Sequence, residues 1–246
     1  MTAGAFTTAE SPALTERVDR LRWEELAAEL DAQGAAVVPG LLAAGECDEL
    51  RALYEMDGPF RSRVVMARHG YGSGEYRYFG YPLPSLVAEL RTALYPHLVP
   101  LANAWHATMR LPSTFPDAHA DFLERCRAAG QSRPTPLLLR YVAEDYNRLH
   151  QDLYGENVFP MQVAVLLSEP GRDFTGGEFV MTEQRPRMQT RPMVLHLRKG
   201  DAVVFAVRHR PVMGKRGSHR VNLRHGVSRL RSGERTTLGI IFHDAT

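Results

Sequence analysis

Two observations in the sequence predict an all-β core of the jelly-roll type with α-helices placed before it. From Pro134 onward the chain is a series of short runs rich in valine, leucine and isoleucine, including TPLLLRYV, MQVAVLLS, GEFVMTE, MVLHLRKGDAVVFAV and TTLGIIFH. Turn-forming stretches such as EPGRDFTGG, RKGD and RSGER separate these runs, and this pattern favours a sandwich or barrel over βαβ units. Leucines at helical spacing occur before Pro134.

The first predicted helix begins near Thr15. Leu21, Leu26 and Leu30 recur at helical spacing with acids and arginines between them. Gly34 is placed to end this helix. The residues that follow, AAVVPGLL, predict a short buried strand.

Two further helical stretches are predicted at residues 45–56 and 86–109, and the second is interrupted by Pro96 and Pro100. Residues 61–82, between them, are rich in tyrosine, glycine and arginine and have weak periodicity. The aromatic residues of this segment are expected either to line the mouth of a substrate site or to cover the barrel. They are Tyr71, Tyr76, Tyr78, Phe79 and Tyr81.

Length and composition are those of one domain. The chain has 246 residues, of which 44% are apolar, and this is enough for a sizeable core. We expect residues 1–13 to form a flexible tail and residues 14–246 to form a single domain. Within it, residues 14–133 are a helical and mixed lead-in, and residues 134–246 are the jelly-roll core.

Cysteine usage and hydropathy favour a cytoplasmic protein with no membrane partner. The two cysteines, Cys47 and Cys126, have no CxxC spacing, which excludes a cysteine-based metal site and fits a reducing compartment. The amino end lacks a signal-peptide pattern, and no apolar run approaches the roughly 20 residues that a membrane span requires. The sequence leaves the oligomeric state open.

A pair of metal-binding residue types lies in LHQDLY, at His150 and Asp152. On a strand, residues i and i+2 point to the same side, so the imidazole and the carboxylate could hold one ion. One further histidine would complete a facial triad, which leaves three adjacent positions free for oxygen and a chelating substrate. An HxD pair alone is more often an exposed loop pair or a hydrogen-bonded pair.

His225 is the best-placed third ligand. It lies on RVNLRHGVSRL, residues 232–233 are predicted to form a hairpin turn, and Arg235 opens the next strand. The hairpin would place Arg235 deep in the barrel, where a metal-chelated five-carbon diacid would end and could pair both carboxylate oxygens with the guanidinium. The competing His219 has Arg229 ten residues later, but Arg229 precedes the turn.

The order HxD, distal histidine and arginine before a final apolar strand resembles the 2-oxoglutarate/Fe(II) dioxygenase superfamily, whose members share a cupin-like double-stranded β-helix. The resemblance covers about residues 134–243. RYVAEDYNRLHQD is similar to the AlkB DNA and RNA dealkylases. PTPLLLRYVAEDYNRLHQDLYGENVFPMQ, LLSEPGRDFTGGEFVMTEQRPRMQ and GDAVVFAVRHRPV look like a bacterial AlkB-like oxygenase family that is predicted to act on damaged DNA.

This resemblance implies Fe(II) bound by His150, Asp152 and His225, with 2-oxoglutarate and O2 as co-substrates. Arg235 would hold the distal carboxylate of 2-oxoglutarate, and Tyr141 matches a tyrosine that touches 2-oxoglutarate in AlkB. The implied reaction is hydroxylation of a C–H bond with release of succinate and CO2. On an N-methyl group of a flipped or single-stranded base, the hydroxylated product would lose formaldehyde.

Two positions depart from the AlkB pattern: Leu139 stands where AlkB has asparagine, and Ile241 stands where AlkB has a second arginine near the substrate. GGEF at residues 176–179 looks more like prolyl hydroxylase-type enzymes, although the two glycines alone indicate a bulge or tight turn. The alternatives to oxidative demethylation of nucleic acid are therefore hydroxylation of a peptide side chain or of a small metabolite. A non-catalytic cupin-like binding module is a remote alternative.

Basic residues are concentrated between Arg185 and Arg235, where fourteen arginines and lysines stand against only Asp201 and Glu234, a surplus of +12. Such a surplus could neutralise the phosphates of single-stranded or damaged nucleic acid. It could equally be scattered over a solvated face by strand alternation. The charge supports an anionic primary substrate without identifying it.

Overall fold

The computed structural model describes residues 13–112, 114–214 and 217–246. In these ranges the chain forms five α-helices, two short 3-10 helices and fourteen β-strands. The tail predicted for residues 1–13 lies outside the described residues, except for Ala13. None of the described helices is long and apolar enough to cross a membrane.

The helical segments are α1 (Leu14–Asp19), α2 (Trp23–Gln33), α3 (Ala44–Ala52), α4 (Ser85–Thr108) and α5 (His119–Ala128), with 3-10 turns at Leu53–Glu55 and Met66–His69. The single helix predicted from Thr15 is two helices, because Arg22 has a ψ of 71°, outside the helical range. Gly34 ends α2 as predicted, with a φ of 80° and an N–H that donates to the Leu30 carbonyl at 2.8 Å.

Helix α4 continues through both of the prolines that were expected to interrupt it. Pro96 and Pro100 are exposed, so the carbonyls that lose their N–H partners in the preceding turn face water. The two prolines are four residues apart, and the N–H that Pro100 lacks is the one that would have bonded to the carbonyl of Pro96. Burial of Leu90, Leu94 and Leu98 on the opposite face keeps the helix intact.

The strands are β1 (Ala35–Val38), β2 (Phe60–Val65), β3 (Gly72–Ser73), β4 (Glu75–Phe79), β5 (Leu137–Val142), β6 (Tyr146–His150), β7 (Met161–Leu166), β8 (Phe174–Gly176), β9 (Phe179–Gln184), β10 (Arg191–Leu195), β11 (Ala202–Ala206), β12 (His209–Gly214), β13 (Gly217–Val227) and β14 (Leu230–Ile241). Neighbouring strands pair antiparallel, as a jelly roll requires.

Two sheets form the core. The larger has the order β1-β11-β7-β14-β5-β4-β2, with β8 paired to β14, and the smaller has the order β10-β9-β13-β6-β3, with β12 paired to β13. The inner faces of the two sheets meet at Phe205 on β11. Its ring centroid lies 5.2 Å from that of Phe179 on β9 and 4.6 Å from that of His225 on β13. The predicted jelly roll with amino-terminal helices is confirmed.

Strands from the lead-in extend both sheets. β1 forms one edge of the larger sheet, and β4 with β2 forms the other edge through pairing of Tyr76 with Leu139 on β5. β3 pairs with β6 in the smaller sheet. The segment at residues 61–82, whose periodicity is weak, therefore contains strands that join the core sheets.

The hairpin predicted at residues 232–233 is wrong. The chain leaves β13 at Val227, crosses to the other sheet, and begins β14 at Leu230, so that residues 232–233 lie within the strand. Gly233 has a φ of 77°, and a Cβ at this position would overlap the backbone of Asp173 beside β8. Close approach of a neighbouring strand, and not a turn, requires this glycine.

His119 joins α5 to the end of β14. Its side chain is 6% exposed, its Nε2 lies 2.8 Å from the carbonyl oxygen of Phe242, and its ring packs 4.8 Å from that of Tyr95. Burial lowers the pKa of His119 to about 4, and the nearby positive charge of Arg91 adds to this effect. The imidazole is therefore neutral in the folded protein at neutral pH.

The depressed pKa of His119 predicts loss of stability in acid. The unfolded imidazole, with a pKa near 6.5, takes up a proton before the folded one does, so the free energy of unfolding should fall as pH drops from about 6.5 towards 4. The group accounts for on the order of 3 kcal/mol over this range. Urea unfolding at several pH values measures the free energy of unfolding. This free energy should fall less steeply with decreasing pH in His119→Phe than in wild type. Substitution of the exposed His69 is the control. An equal dependence of the free energy of unfolding on pH in wild type and His119→Phe would contradict the prediction.

Candidate metal centre

A cavity of about 410 Å³ lies between the two sheets. Inward-facing residues of β5, β7 and β14 form one wall, and residues from β6 and β13 form the other. His150, Asp152 and His225 lie on this second wall, while Tyr141 and Arg235 lie on the first. The structure therefore brings all five predicted site residues to one cavity.

His150 and His225 face each other because β6 and β13 pair in a register that sets them directly opposite. The expectation that Asp152 shares a strand with His150 is wrong, since β6 ends at His150. The intervening Gln151 donates its amide to Asn222 Oδ1 at 2.8 Å and to the Leu223 carbonyl at 2.6 Å. This attachment to β13 fixes the turn that carries Asp152 into the cavity.

The ligand atoms of the three residues lie within 4.8 Å of one another. Asp152 Oδ1 is 3.5 Å from His150 Nε2, and Asp152 Oδ2 is 3.4 Å from His225 Nε2. Both separations exceed the 2.7–3.2 Å of an ordinary hydrogen bond, as expected for ligands arranged around an ion. His150 Nδ1 lies 2.7 Å from the Arg148 carbonyl and donates to it, which leaves Nε2 free to bind a metal.

Charge states in the cluster suit a divalent cation. Burial raises the pKa of Asp152. This effect is outweighed by the neighbouring His225 and His150 and by the Tyr154 hydroxyl, which together hold the pKa of Asp152 well below its usual range. Burial and the charge of His150 lower the pKa of His225. An anionic carboxylate beside two imidazoles is the donor set that Fe(II) takes in a facial triad.

Aromatic packing fixes the position of His225. Its ring stacks on Phe179 at 6.0 Å with an interplanar angle of 14° and contacts Phe205 at 4.6 Å. Its buried Nδ1 has no hydrogen-bond partner among the residues that the structure describes. On the Nδ1 side, therefore, packing and not a hydrogen bond holds this ring.

Arg235 is a buried cation in the opposite wall. It is 2% exposed, and its Nη1 donates to Thr237 Oγ1 at 2.5 Å. Its Nε has no partner, and no carboxylate forms an ion pair with it, within the described ranges. Burial lowers its pKa to about 10, which still leaves it charged at neutral pH. A buried unpaired guanidinium is costly, so the cavity is suited to an anion.

Tyr141 lies beside Arg235 in the β5–β14 pairing. It is fully buried, and its hydroxyl accepts a hydrogen bond from Asn147 at 3.3 Å. The Arg235 guanidinium carbon is 5.8 Å from the centre of its ring. Tyr141 therefore forms part of the wall next to the cation.

Comparison with known proteins identifies the family. Residues 74–245 match the Oxygenase-NA family, described as "Oxygenase, catalysing oxidative methylation of damaged DNA". The chain is also 50% identical over 167 residues to an uncharacterised protein of Mycobacterium tuberculosis, a match that covers 68% of this chain and 72% of that protein. The chain belongs to the Oxygenase-NA family.

Solved structures share the fold of this Oxygenase-NA protein. An oxidoreductase of the 2OG-Fe(II) oxygenase family from Burkholderia pseudomallei has a TM-score of 0.56 at 17% identity, covering 92% of this chain and 94% of that one. A Pseudomonas putida prolyl-4-hydroxylase has a TM-score of 0.52 at 14% identity, covering 91% and 99%.

These matches settle several of the sequence-based predictions. The fold is confirmed, and the match to the Oxygenase-NA family confirms an oxygenase, which removes the alternative of a non-catalytic binding module. The predicted cofactors Fe(II), 2-oxoglutarate and O2 agree with a His-Asp-His cluster in this fold.

The paired glycines of the Oxygenase-NA chain have a specific role beside Arg235. Gly176 and Gly177 have φ values of 74° and 64°, which favour glycine. A Cβ on Gly177 would overlap the Leu230 side chain and lie 3.1 Å from Arg235 Cδ. The predicted tight turn is therefore also the surface on which the Arg235 side chain rests.

Sequence reasoning missed two polar residues of the cavity. Tyr154 donates its hydroxyl to Asp152 Oδ1 at 2.8 Å, and only its position two residues after the HxD pair could have indicated this. Gln162 on β7 is 3% exposed, lines the cavity, and has no partner for Nε2 among the described residues. A glutamine within the apolar run MQVAVLL is the available signal.

The aromatic segment at residues 61–82 divides between the two expected roles. Tyr71 and Tyr76 line the cavity, and Tyr71 is 50% exposed at its rim. Tyr78 and Phe79 are buried. Tyr81 lies elsewhere and donates to Asp244 at 2.9 Å.

The arginine-rich segment does not form the rim of the cavity. Buried Glu183 accepts a hydrogen bond from Arg185 at 2.8 Å, forms an ion pair with Arg210, and lies 3.6 Å from Arg191. None of these three arginines is among the described residues that line the cavity, whereas the exposed Arg148 on β6 is. One buried carboxylate therefore gathers three of the fourteen basic side chains and draws them away from a shared basic surface.

The contact between Gly177 and Arg235 predicts that Gly177→Ala weakens binding of 2-oxoglutarate. An added methyl group would displace the guanidinium. We expect a loss of about 1.4 kcal/mol of binding free energy, which is a tenfold rise in the Kd of 2-oxoglutarate. Gly171→Ala is the matched control, because Gly171 has a φ of 81° with no atom within 4 Å of an added Cβ. Titration of 2-oxoglutarate into the Mn(II)-loaded variants, followed by calorimetry, measures the Kd of each. Equal weakening of binding in Gly177→Ala and Gly171→Ala would refute the role of Gly177.

Proposed function

We propose that this Oxygenase-NA protein hydroxylates an alkyl carbon on a base of damaged DNA. Fe(II) would be held by His150, Asp152 and His225, and the distal carboxylate of 2-oxoglutarate by Arg235. The observation that carries the proposal is the pairing of a three-ligand cluster with an unpaired buried cation on opposite walls of one cavity.

The cavity suits a dicarboxylate that reaches from the metal to Arg235. One end of 2-oxoglutarate, the keto acid, would chelate the ion, and its distal carboxylate would supply the anion that the guanidinium lacks. Thr237 Oγ1, already bonded to Arg235, orients the guanidinium for this contact. Tyr141 covers the side of the cation and excludes water from it. A dry site strengthens the ion pair.

Support for DNA as the substrate comes from the family description and from the rim. Tyr71 is half exposed at the rim, and its ring stacks on that of His69 at 5.4 Å. Leu149 beside it is 42% exposed and also lines the cavity. Aromatic rings beside the cationic Arg148 are the arrangement that stacks an unpaired base and neutralises its phosphate. The base would have to be extruded or single-stranded to enter.

The iron, when bound, activates O2 for insertion of one oxygen atom into the substrate C–H bond. The second oxygen atom enters 2-oxoglutarate, which leaves as succinate and CO2. With an N-methyl group as the target, the product is an N-hydroxymethyl group. Breakage of its C–N bond, with transfer of the hydroxyl proton to nitrogen, releases formaldehyde and restores the base.

The metal assignment predicts that Asp152→Ala and His225→Ala each abolish tight binding of one Fe(II) or Mn(II) per chain. Removing one of the three protein ligands leaves too few donors to hold the ion. His219→Ala is the control, because His219 is the rival ligand from the sequence and is not among the described residues that line the cavity. Stoichiometric metal binding by Asp152→Ala, measured by metal analysis after desalting, would remove this assignment.

The substrate assignment predicts binding to single-stranded DNA that weakens steeply with salt, because phosphates are neutralised at the rim. Arg148→Glu should reduce both the affinity and the salt slope. The control Arg127→Glu, on α5, changes an exposed arginine of a helix that contributes no described residue to the cavity. Fluorescence anisotropy measures the binding, and a methylated oligonucleotide tests formaldehyde release.

The two DNA assays together separate the substrate classes. Salt-dependent binding with formaldehyde release supports DNA. Absence of binding at low salt together with absence of formaldehyde would eliminate DNA and leave hydroxylation of a peptide side chain or a small metabolite, with the metal assignment unchanged.

A further inference from the structure

Tyr154 forms a direct contact with the central carboxylate. Its hydroxyl lies 2.8 Å from Asp152 Oδ1, and Tyr78 donates to the Tyr154 oxygen at 2.9 Å. An ionised carboxylate only accepts hydrogen bonds, so the Tyr154 proton must point at Oδ1. The Tyr78 hydroxyl, donating from the other side, leaves Tyr154 no other arrangement in which both bonds are made.

The segment that carries Tyr154 is fixed by a buried amide. Gln131 is fully buried, donates to the carbonyls of Tyr154 at 3.0 Å and Asn157 at 3.1 Å, and accepts from the Asn157 N–H at 2.7 Å. Gly155, with a φ of 85°, packs so closely on Gln131 that a Cβ would overlap it. The phenol is thus held in place before any metal binds.

The hydroxyl gives the two oxygens of Asp152 different surroundings. Oδ1 accepts the hydrogen bond from Tyr154 and lies 3.5 Å from His150 Nε2, whereas Oδ2 lies 3.4 Å from His225 Nε2. Rotation of the carboxylate to bring both oxygens onto one ion would move Oδ1 relative to the phenol, which the Gln131 contacts hold in place, and would strain this hydrogen bond. A charge-assisted hydrogen bond of this kind is roughly twice as strong as a neutral one.

We propose that Tyr154 is a positioning residue that restricts Asp152 to binding the metal through one oxygen. The inference rests on the proposed function, because the facial triad works by leaving three adjacent positions open for 2-oxoglutarate and O2. A carboxylate that bound through both oxygens would occupy one of these positions. The phenol therefore protects a coordination position without touching the metal.

Water coordination in the Mn(II)-loaded protein tests this inference. Proton relaxation should report about three metal-bound waters in wild type and about two in Tyr154→Phe, in which both oxygens are free to bind. Tyr78→Phe is the matched control, because it removes the hydroxyl that donates to Tyr154 but keeps the donor to Asp152 Oδ1. This variant should retain about three metal-bound waters. Equal water numbers in wild type and a folded Tyr154→Phe would overturn the role of Tyr154 and leave the metal assignment intact.

A second measurement needs no variant. The infrared difference spectrum of wild type on Mn(II) loading should show the wide separation of carboxylate stretches that one-oxygen binding gives, and a narrow separation would overturn the inference. Failure of wild type to bind Mn(II) would instead contradict the proposed function, and the role of Tyr154 with it.

Discussion

The antiparallel register between β6 and β13 is the constraint on which the site depends. It sets His150 opposite His225, and the bond from Gln151 to the backbone of β13 then turns Asp152 towards both imidazoles. A slip of one residue would point His225 to the other face of its sheet. Pairing of β13 with β9 on its other side opposes such a slip, since it would have to move three strands together.

Much of the site could be predicted from the sequence because its residues differ in kind from their surroundings. An HxD pair, a distal histidine and an arginine before a final apolar strand form an order that is rare enough to indicate the chemistry. The route from His225 to Arg235 could not be predicted, because Gly233 is equally compatible with a turn and with close approach of β8. Arg235 reaches the cavity from the other sheet, by a crossing that has no local sequence signal.

Contacts between distant segments account for the other differences. Glu183 gathers arginines that look like a basic surface in the sequence, and its own burial is visible only once β9 and β12 are placed beside β13. The prolines of α4 do not break the helix, because packing places them on its water-facing side. Tyr154 acquires its role from Gln131, which lies 23 residues earlier in the chain. Local pattern carries none of this information.

The ring of His225 packs against Phe179 and Phe205, and its Nδ1 has no hydrogen-bond partner among the described residues. This arrangement affects how strongly an iron ion would be held. Stacking fixes where the ring lies, and the Asp152 carboxylate, 3.4 Å from Nε2, favours the proton on that nitrogen in the metal-free protein. Histidine ligands are usually oriented by a hydrogen bond to the second nitrogen, and loss of such a bond typically costs about 10- to 100-fold in metal affinity. Binding of an ion at Nε2 would therefore move the ring proton to Nδ1, where no described residue accepts it, and this cost should lower the metal affinity below that of a site with such an acceptor.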